Sequence, residues 1–375
     1  MVFPDVMQAL VVGEGKKVEL EQIPIPTLEI NEVLIRIHST AQNPRDWKHT
    51  DFLSPVGNVI GCDFSGTVVK LGADSISRVK VGDTVAAHVH GGNYKDRGAF
   101  AQYAKADSDL VWKFSPSVLS FEEAATMNCA YVDPVSLLII KISNYAYTVD
   151  YGLLFRRSIF AWDLKSLHRL SSKNEWILIY GGSTSLGLFS IQLAKLSGYK
   201  VVTTTSPKNF DLLKSLGADI VINYRDADIV EQIQKATENS LKLAFDTVGE
   251  TDTQIICVKS LAPTPDGARP GKVMVSLIPN EDAKALRKDV IVLNTVIYTA
   301  FGRSFELAKI QFPASPEDRA HMASWMPKLE ELAAKGQIKP NPVRLWPGGL
   351  GAVNEGFQYM REGKVSAEKI VYNVH

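Results

Sequence analysis

The chain has 375 residues, enough for about two domains of ordinary size. Hydrophobic residues make up 45% and charged residues 22%, and 41 basic residues offset 41 acidic ones, so no net field draws nucleic acid or an anionic membrane to it. Three cysteines, Cys62, Cys129 and Cys257, are too few and too scattered for a disulfide framework and fit a reducing compartment.

In chain order, residues 1–10 lack a charged stretch followed by an apolar run, so no signal peptide is expected. The first 120 or so residues read as β-rich. Residues 33–38 alternate, and 66–71 and 84–89 are β-branched runs punctuated by Gly72 and Gly82-Asp83. Turn signals at this spacing predict a small barrel or folded sheet. His88 and His90 fall on one face of a predicted strand and are expected to be structural. The longest apolar stretch, 135–142, is broken by Ser136 and Lys141 and is too short to cross a bilayer. A cytoplasmic protein is the expectation.

From residue 175 the pattern changes. An apolar strand over 175–180 runs into a Gly-Gly-Ser-Thr turn and a helix over 185–197, whose Leu186, Ile191, Ala194 and Leu196 offer a buried face. A strand over 200–205 and a helix over 207–216 follow, then strands over 220–223, 241–248 and 272–277. Strands alternating with helices predict βαβ units and a doubly wound parallel sheet, an α/β architecture. After about residue 300 a helix over 321–335 and a strand over 369–372 return the chain to the first domain. The expected division is 1–125, 126–300 and 301–375, with ligands bound between the two domains.

The chemical signal lies in Tyr180-Gly181-Gly182-Ser183-Thr184-Ser185-Leu186-Gly187. Small residues between a strand and a helix let the backbone approach a pyrophosphate, whose charge the helix N-terminus favours. The alternative is a tight turn that needs glycine only for its dihedrals. The next strand selects the cofactor. NAD enzymes place an acid at its end to bind the ribose hydroxyls. Here the strand runs into Ser206-Pro207-Lys208-Asn209, with no acid. Lys208 is a cation in a first helical turn, locally unfavourable unless a 2′-phosphate offsets it. This predicts NADPH, against the alternative of a solvated lysine after an ordinary helix start.

At this point the residues resemble the medium-chain dehydrogenase/reductase superfamily over most of the chain. They are most similar to the trans-acting enoyl reductases that serve fungal polyketide synthases. The resemblance rests on Asn43-Pro44-Arg45-Asp46-Trp47-Lys48, Gly61-Cys62-Asp63-Phe64-Ser65-Gly66 and Gly98-Ala99-Phe100-Ala101-Gln102-Tyr103. It continues in the glycine turn, Ser206-Pro207-Lys208-Asn209-Phe210-Asp211 and Gly363-Lys364-Val365-Ser366. It implies a barrel-like, GroES-like catalytic domain interrupted by a Rossmann domain. It implies cofactor contacts at Arg45, Asp46, Trp47 and Lys48, with Lys48 also the candidate for polarising or orienting the substrate. Ser183, Thr184, Ser185 and Leu186 are expected on the pyrophosphate. Ser206, Pro207, Lys208 and Asn209 are expected at the 2′-phosphate, Tyr224 near the adenosine, and Leu277, Val365 and Ser366 around the nicotinamide. The implied reaction is NADPH-dependent reduction of an enoyl thioester carried on a synthase whose own reductase domain is inactive. A quinone or small-enone reductase shares fold and cofactor. A catalytically silent NADPH-binding protein is the reading from another class.

No metal is expected. Zinc-dependent members of the superfamily begin their ligand set with a cysteine where this chain has residues 43–46, and carry His-Glu where it has Cys62-Asp63. Their four-cysteine lobe has no counterpart in residues 91–97. Cys62, Asp63 and Cys129 still hold ligand-like positions. Against them, Arg45 repels a cation, and the cysteines also read as small buried hydrophobes. Residues 128–170 depart from the family pattern. Pro134 and β-branched residues oppose the small-residue helix found in relatives, and both a diverged pocket wall and a retained intron fit the departure.

Overall fold

The computed structural model describes residues 4–75, 78–131, 175–276, 278–294, 296–307 and 309–374. The divergent segment therefore falls almost wholly outside the described residues, and so does Leu277. The chain forms two compact units, residues 1–129 with 298–375, and residues 130–297.

In the first unit the β-branched runs become a seven-stranded sheet around the strand Glu32–Ala41. Along one edge this strand pairs antiparallel with Asp63–Leu71. Its other edge is shared by Tyr103–Asp107, paired with residues 32–36, and by the last strand, Lys369–Asn373, paired with residues 39–41. The last strand thus belongs to the first unit's sheet. Glu32–Ala41 is buried along nearly its whole length rather than on alternate residues. Its inner residues Val33, Ile35 and Ile37 join Phe64, Val85, Phe100, Phe357 and Tyr372 in one core. The helix Phe121–Ala125 covers its far side, with Phe121 stacked on His38 at 4.1 Å.

Two local expectations are corrected here. The strand Thr84–His88 ends at His88, so His90 lies beyond it, where Gly91 and Gly92 turn the chain. The helix predicted over 321–335 spans Pro316–Ala334. Its signal was present in the sequence: Ser315 accepts from the Asp318 amide, and Pro316 suits the first helical position.

The second unit holds a six-stranded sheet, parallel throughout. Its order is Ile220–Asn223, Lys200–Thr205, Trp176–Tyr180, Leu243–Asp246, Gly271–Val275 and Val290–Asn294. In chain order the first three strands step from Trp176–Tyr180 to one edge of the sheet, and the remaining three step from its other side to the opposite edge. The sheet therefore switches between Tyr180 and Asp246, the place where α/β sheets bind ligands. The helix Ser185–Leu196 is buried without a break from Gly187 to Ala194, while Leu186 and Leu196 are only half-buried. The expected single apolar stripe is thus too narrow, since a helix enclosed on all sides needs no polar face. The helix expected over 207–216 starts as a 3₁₀ turn, Pro207–Asn209, before the α-helix Phe210–Ser215.

Candidate functional site

In the second unit, the strand Trp176–Tyr180 ends in Gly181, whose φ of +81° is a left-handed conformation that glycine adopts without strain. The Gly181 amide donates to Thr204 Oγ1 at 2.9 Å, and the Gly182 amide to the Thr204 carbonyl at 2.9 Å. Both bonds bind the turn to the neighbouring strand. Thr184 is the N-cap of Ser185–Leu196, its hydroxyl oxygen accepting from the Gly187 amide at 2.8 Å. The same hydroxyl donates to Thr247 Oγ1 across the switch point at 2.9 Å. A Cβ on Gly187 would lie 2.3 Å from the Gly181 carbonyl oxygen, and one on Gly182 would lie 2.1 Å from Thr203 Oγ1. The glycines therefore serve close packing of turn, helix and strand. Ser183, Thr184, Ser185 and Leu186 come together at this helix start, partly exposed.

One strand along, Thr205 passes into Ser206, Pro207 and Lys208, with Pro207 and Lys208 exposed and Asn209 buried. Asn209 Nδ2 donates to Thr205 Oγ1 at 3.3 Å. Thr205 is in register with Asn223 of the outer strand, and the Tyr224 amide donates to the Thr205 carbonyl at 3.3 Å. Tyr224 thus stands beside the Ser206–Asn209 turn. The Arg225 guanidinium lies 5.0 Å from the centre of its ring. Arg225 was missed in the sequence reading, because only the strand pairing brings it next to Lys208's turn.

In the first unit, Asn43 caps the helix Pro44–Phe52 in a capping box with Asp46, the Asn43 amide donating to Asp46 Oδ2 at 2.7 Å. Arg45 turns inward. Its guanidinium donates to Cys62 Sγ and to the Gly91 carbonyl at 3.3 Å, lies 3.1 Å from His49 Nδ1, and stacks 4.5 Å from the centre of the Tyr298 ring. Burial pushes the Asp46 carboxyl up to about 6 even with Arg45 beside it, and burial with Arg45 pushes His49 down to about 3. Burial also holds the Cys62 thiol well above its ordinary range, outweighing Arg45, so Cys62 stays a neutral thiol. Lys48 stands apart from this network. It is exposed, its ammonium 5.6 Å from the centre of the Trp47 ring. Val365, packed on the core, and the half-buried Ser366 lie in the loop that leads into Lys369–Asn373.

Beneath the helix is a largely buried cluster centred on Asp63. Its Oδ1 accepts from the Cys129 amide at 2.9 Å and lies 2.9 Å from His88 Nδ1; its Oδ2 accepts from Lys369 Nζ at 2.7 Å and Asn43 Nδ2 at 3.0 Å. Burial alone would push this carboxyl up. The Lys369 ammonium and the His88 hydrogen bond outweigh it and hold Asp63 below the usual carboxylate range, hence ionised.

The family model for the alcohol dehydrogenase GroES-like domain matches residues 29–116, and the model named zinc-binding dehydrogenase matches 185–302. A trans-enoyl reductase of Alternaria alternata is 35% identical over 98% of this chain and 98% of its own length. An enoyl reductase of Chaetomium globosum is 32% identical over 99% of this chain and 95% of its own. The chain belongs to the trans-enoyl reductase branch of the medium-chain dehydrogenase/reductase superfamily. The solved quinone oxidoreductase of Coxiella burnetii shares the fold, with a TM-score of 0.69, 22% identity and coverage of 99% of this chain and 100% of that one.

As a medium-chain oxidoreductase the chain takes a nicotinamide dinucleotide, and its residues fit one. The glycine-packed turn lies at the switch point and opens a twelve-residue helix, whose N-terminus favours a pyrophosphate. Zinc, which the name of one matching family model suggests, does not fit. Asp63, His88 and Cys129 do offer ligand atoms within 4.8 Å of one another, the single such group among the described residues. Each Asp63 oxygen, however, already has two partners, which leaves two donors where a catalytic zinc needs three protein ligands. Among the described residues no helix is long and apolar enough to cross a membrane.

Proposed function

We propose that this trans-enoyl reductase relative uses NADPH to reduce the α,β double bond of an enoyl thioester held by a partner polyketide synthase. Relatedness over nearly the full chain to proteins named trans-enoyl reductase and enoyl reductase carries this reading. The choice of NADPH is supported by the acid-free end of Lys200–Thr205, where Ser206, Lys208 and Asn209 meet Tyr224 and Arg225. Lys208 and Arg225 are exposed cations at the ends of neighbouring strands, suited to a 2′-phosphate.

The bound cofactor supplies the hydride. Ser183, Thr184, Ser185 and Leu186 hold its pyrophosphate, and Ser206, Pro207, Lys208, Asn209 and Tyr224 hold its adenosine half. Arg45, Asp46, Trp47 and Lys48 would lie beside the cofactor, with Lys48 near the nicotinamide, which Leu277, Val365 and Ser366 would flank. Addition at the β-carbon places negative charge on the thioester oxygen, and the Lys48 ammonium, free of the buried network, is the group we assign to stabilise it. Protonation of the α-carbon completes the reduction.

The deciding experiment is NADPH oxidation against a panel of α,β-unsaturated thioesters, with a simple quinone and a simple enone alongside. Consumption with thioesters alone is expected. Turnover confined to quinone or enone would place the enzyme with the small-molecule reductases. Binding of NADPH without turnover on any of them would favour the silent reading. In the same assay Lys48→Met should lower kcat by about tenfold to a hundredfold while NADPH still binds. An unchanged kcat removes Lys48 from the mechanism.

Lys208→Ala should weaken NADPH by about tenfold, one charge-assisted contact, and leave NADH nearly unaffected. Equal losses for both cofactors would refute the assignment of the 2′-phosphate.

A further inference from the structure

We propose that Thr247 is a positioning residue for the nicotinamide dinucleotide. Its hydroxyl locks the Thr184 side chain, so that the pyrophosphate is met by the open donors of Ser183 and Leu186 and not by the Thr184 hydroxyl. This role rests on the pyrophosphate lying at residues 183–186.

All the groups involved lie within the second unit. Thr247 follows the strand Leu243–Asp246 and is 8% exposed. Its hydroxyl lies 2.8 Å from the Tyr180 carbonyl oxygen and 2.9 Å from that of Gly181. Carbonyls only accept, so the Thr247 proton is committed to them and its oxygen is left to accept. The Thr184 hydroxyl donates to that oxygen at 2.9 Å and accepts from the Gly187 amide at 2.8 Å. A closed relay thus runs from the helix start across the switch point and back to the carbonyls of the turn. The Thr184 amide is committed too, to the Gly181 carbonyl at 3.0 Å. Thr184 therefore serves the phosphates by shaping the turn, with neither of its donors open.

Thr247 is itself held from behind. The buried Asp246 accepts at Oδ1 from the Val248 and Gly249 amides, both at 2.9 Å, and at Oδ2 from the Thr253 hydroxyl at 2.6 Å. The loop is pressed on the turn: a Cβ on Gly181 would lie 2.6 Å from Val248 Cγ2 and 2.7 Å from Thr247 Oγ1. Among the described residues, the Ser183 amide and hydroxyl and the Leu186 amide have no hydrogen-bond partner, and both residues are partly exposed. Orphan donors at a helix start are satisfied by an anion, and the relay sets their direction by tying that start to two strands.

The test measures binding of NADPH, NADH and adenosine 2′-monophosphate to the full-length wild type, Thr247→Val, Thr247→Ser, Thr184→Val and the double valine variant. Thr247→Val keeps the side-chain shape without the hydroxyl. It should weaken NADPH and NADH by the same factor, about fivefold, the worth of one hydrogen bond. Adenosine 2′-monophosphate has no pyrophosphate and should bind unchanged, whereas general loosening of the unit would weaken it as well. Thr247→Ser should restore wild-type affinity. The double variant should lose no more than Thr184→Val alone, because Thr247 acts through Thr184. Unchanged or tighter dinucleotide binding in Thr247→Val overturns the proposal, as do an equal loss of the monophosphate, failure of the serine to restore affinity, or additive losses in the double variant. If Thr247→Val does not fold, Thr247→Ala is read in its place; if neither folds, the hydroxyl is a folding requirement and the proposal falls. Turnover is read separately, so a wild type that binds dinucleotide and reduces no thioester sinks the enoyl reductase reading alone. A wild type that ignores the monophosphate sinks the 2′-phosphate assignment alone, and the equal losses of NADPH and NADH then decide the role of Thr247.

Discussion

Asp63→Ala should destabilise the first unit by about 3–5 kcal/mol, because removing one partner of a buried ion pair strands the other. Lys369 would keep Asn43 as its acceptor but lose its counter-ion, and the Cys129 amide and His88 Nδ1 would lose theirs. Urea unfolding at neutral pH gives the measurement. The comparison is Asp51→Ala, which removes the largely solvent-screened Asp51–Arg361 bridge, with the arginine side chain 33% exposed, and should cost less than about 1 kcal/mol. If Asp63→Ala cost no more than Asp51→Ala, the cluster would not be the electrostatic centre described. The sign of the pH dependence follows from the carboxyl's depressed titration. The stabilisation is complete above the unfolded aspartate value of about 3.9 and is lost only as pH falls below it.

Gly187→Val should weaken binding of the nicotinamide dinucleotide by about a hundredfold and destabilise the second unit by about 3 kcal/mol. The added Cβ would meet the Gly181 carbonyl oxygen at 2.3 Å and Gly182 Cα at 2.8 Å. Both are backbone atoms of the turn itself, so relief requires the helix to leave the strand. NADPH fluorescence titration and thermal unfolding measure the two effects. Gly351→Ala is the control: no heavy atom lies within 4 Å of the new methyl group and no positive φ is needed, so its cost should be a few tenths of a kcal/mol. Wild-type affinity in Gly187→Val would mean that the turn does not hold the dinucleotide.

The parts of this site that were legible in the sequence are those written in a few adjacent residues. Strand, glycine turn and helix at 176–196 follow from hydrophobic period and glycine placement, and the absence of an acid after Thr205 is a fact of composition. Where local reading fell short, packing decided. The helix Ser185–Leu196 shows a partial apolar face in sequence but is buried from Gly187 to Ala194. Arg225 carried no motif and acquired interest only because Asn223 is paired with Thr205. His90 was read as a strand residue, yet its ring lies flat on Tyr298 at 3.7 Å, a partner more than 200 residues away in the chain.

The clearest division runs through Asp63. Its sequence neighbourhood marks it as ligand-like, and local pattern alone left a metal and a structural role both open. Its buried ion-pair partner, Lys369, is 306 residues away and looks like any lysine at the start of a strand. By itself, then, the sequence determined the β-rich first domain, the dinucleotide-binding βαβ units and the family, because periodicity, turns and motifs are short-range. The tertiary structure alone decided which charges meet in the buried centre, since that depends on the register with which the last strand pairs against Glu32–Ala41.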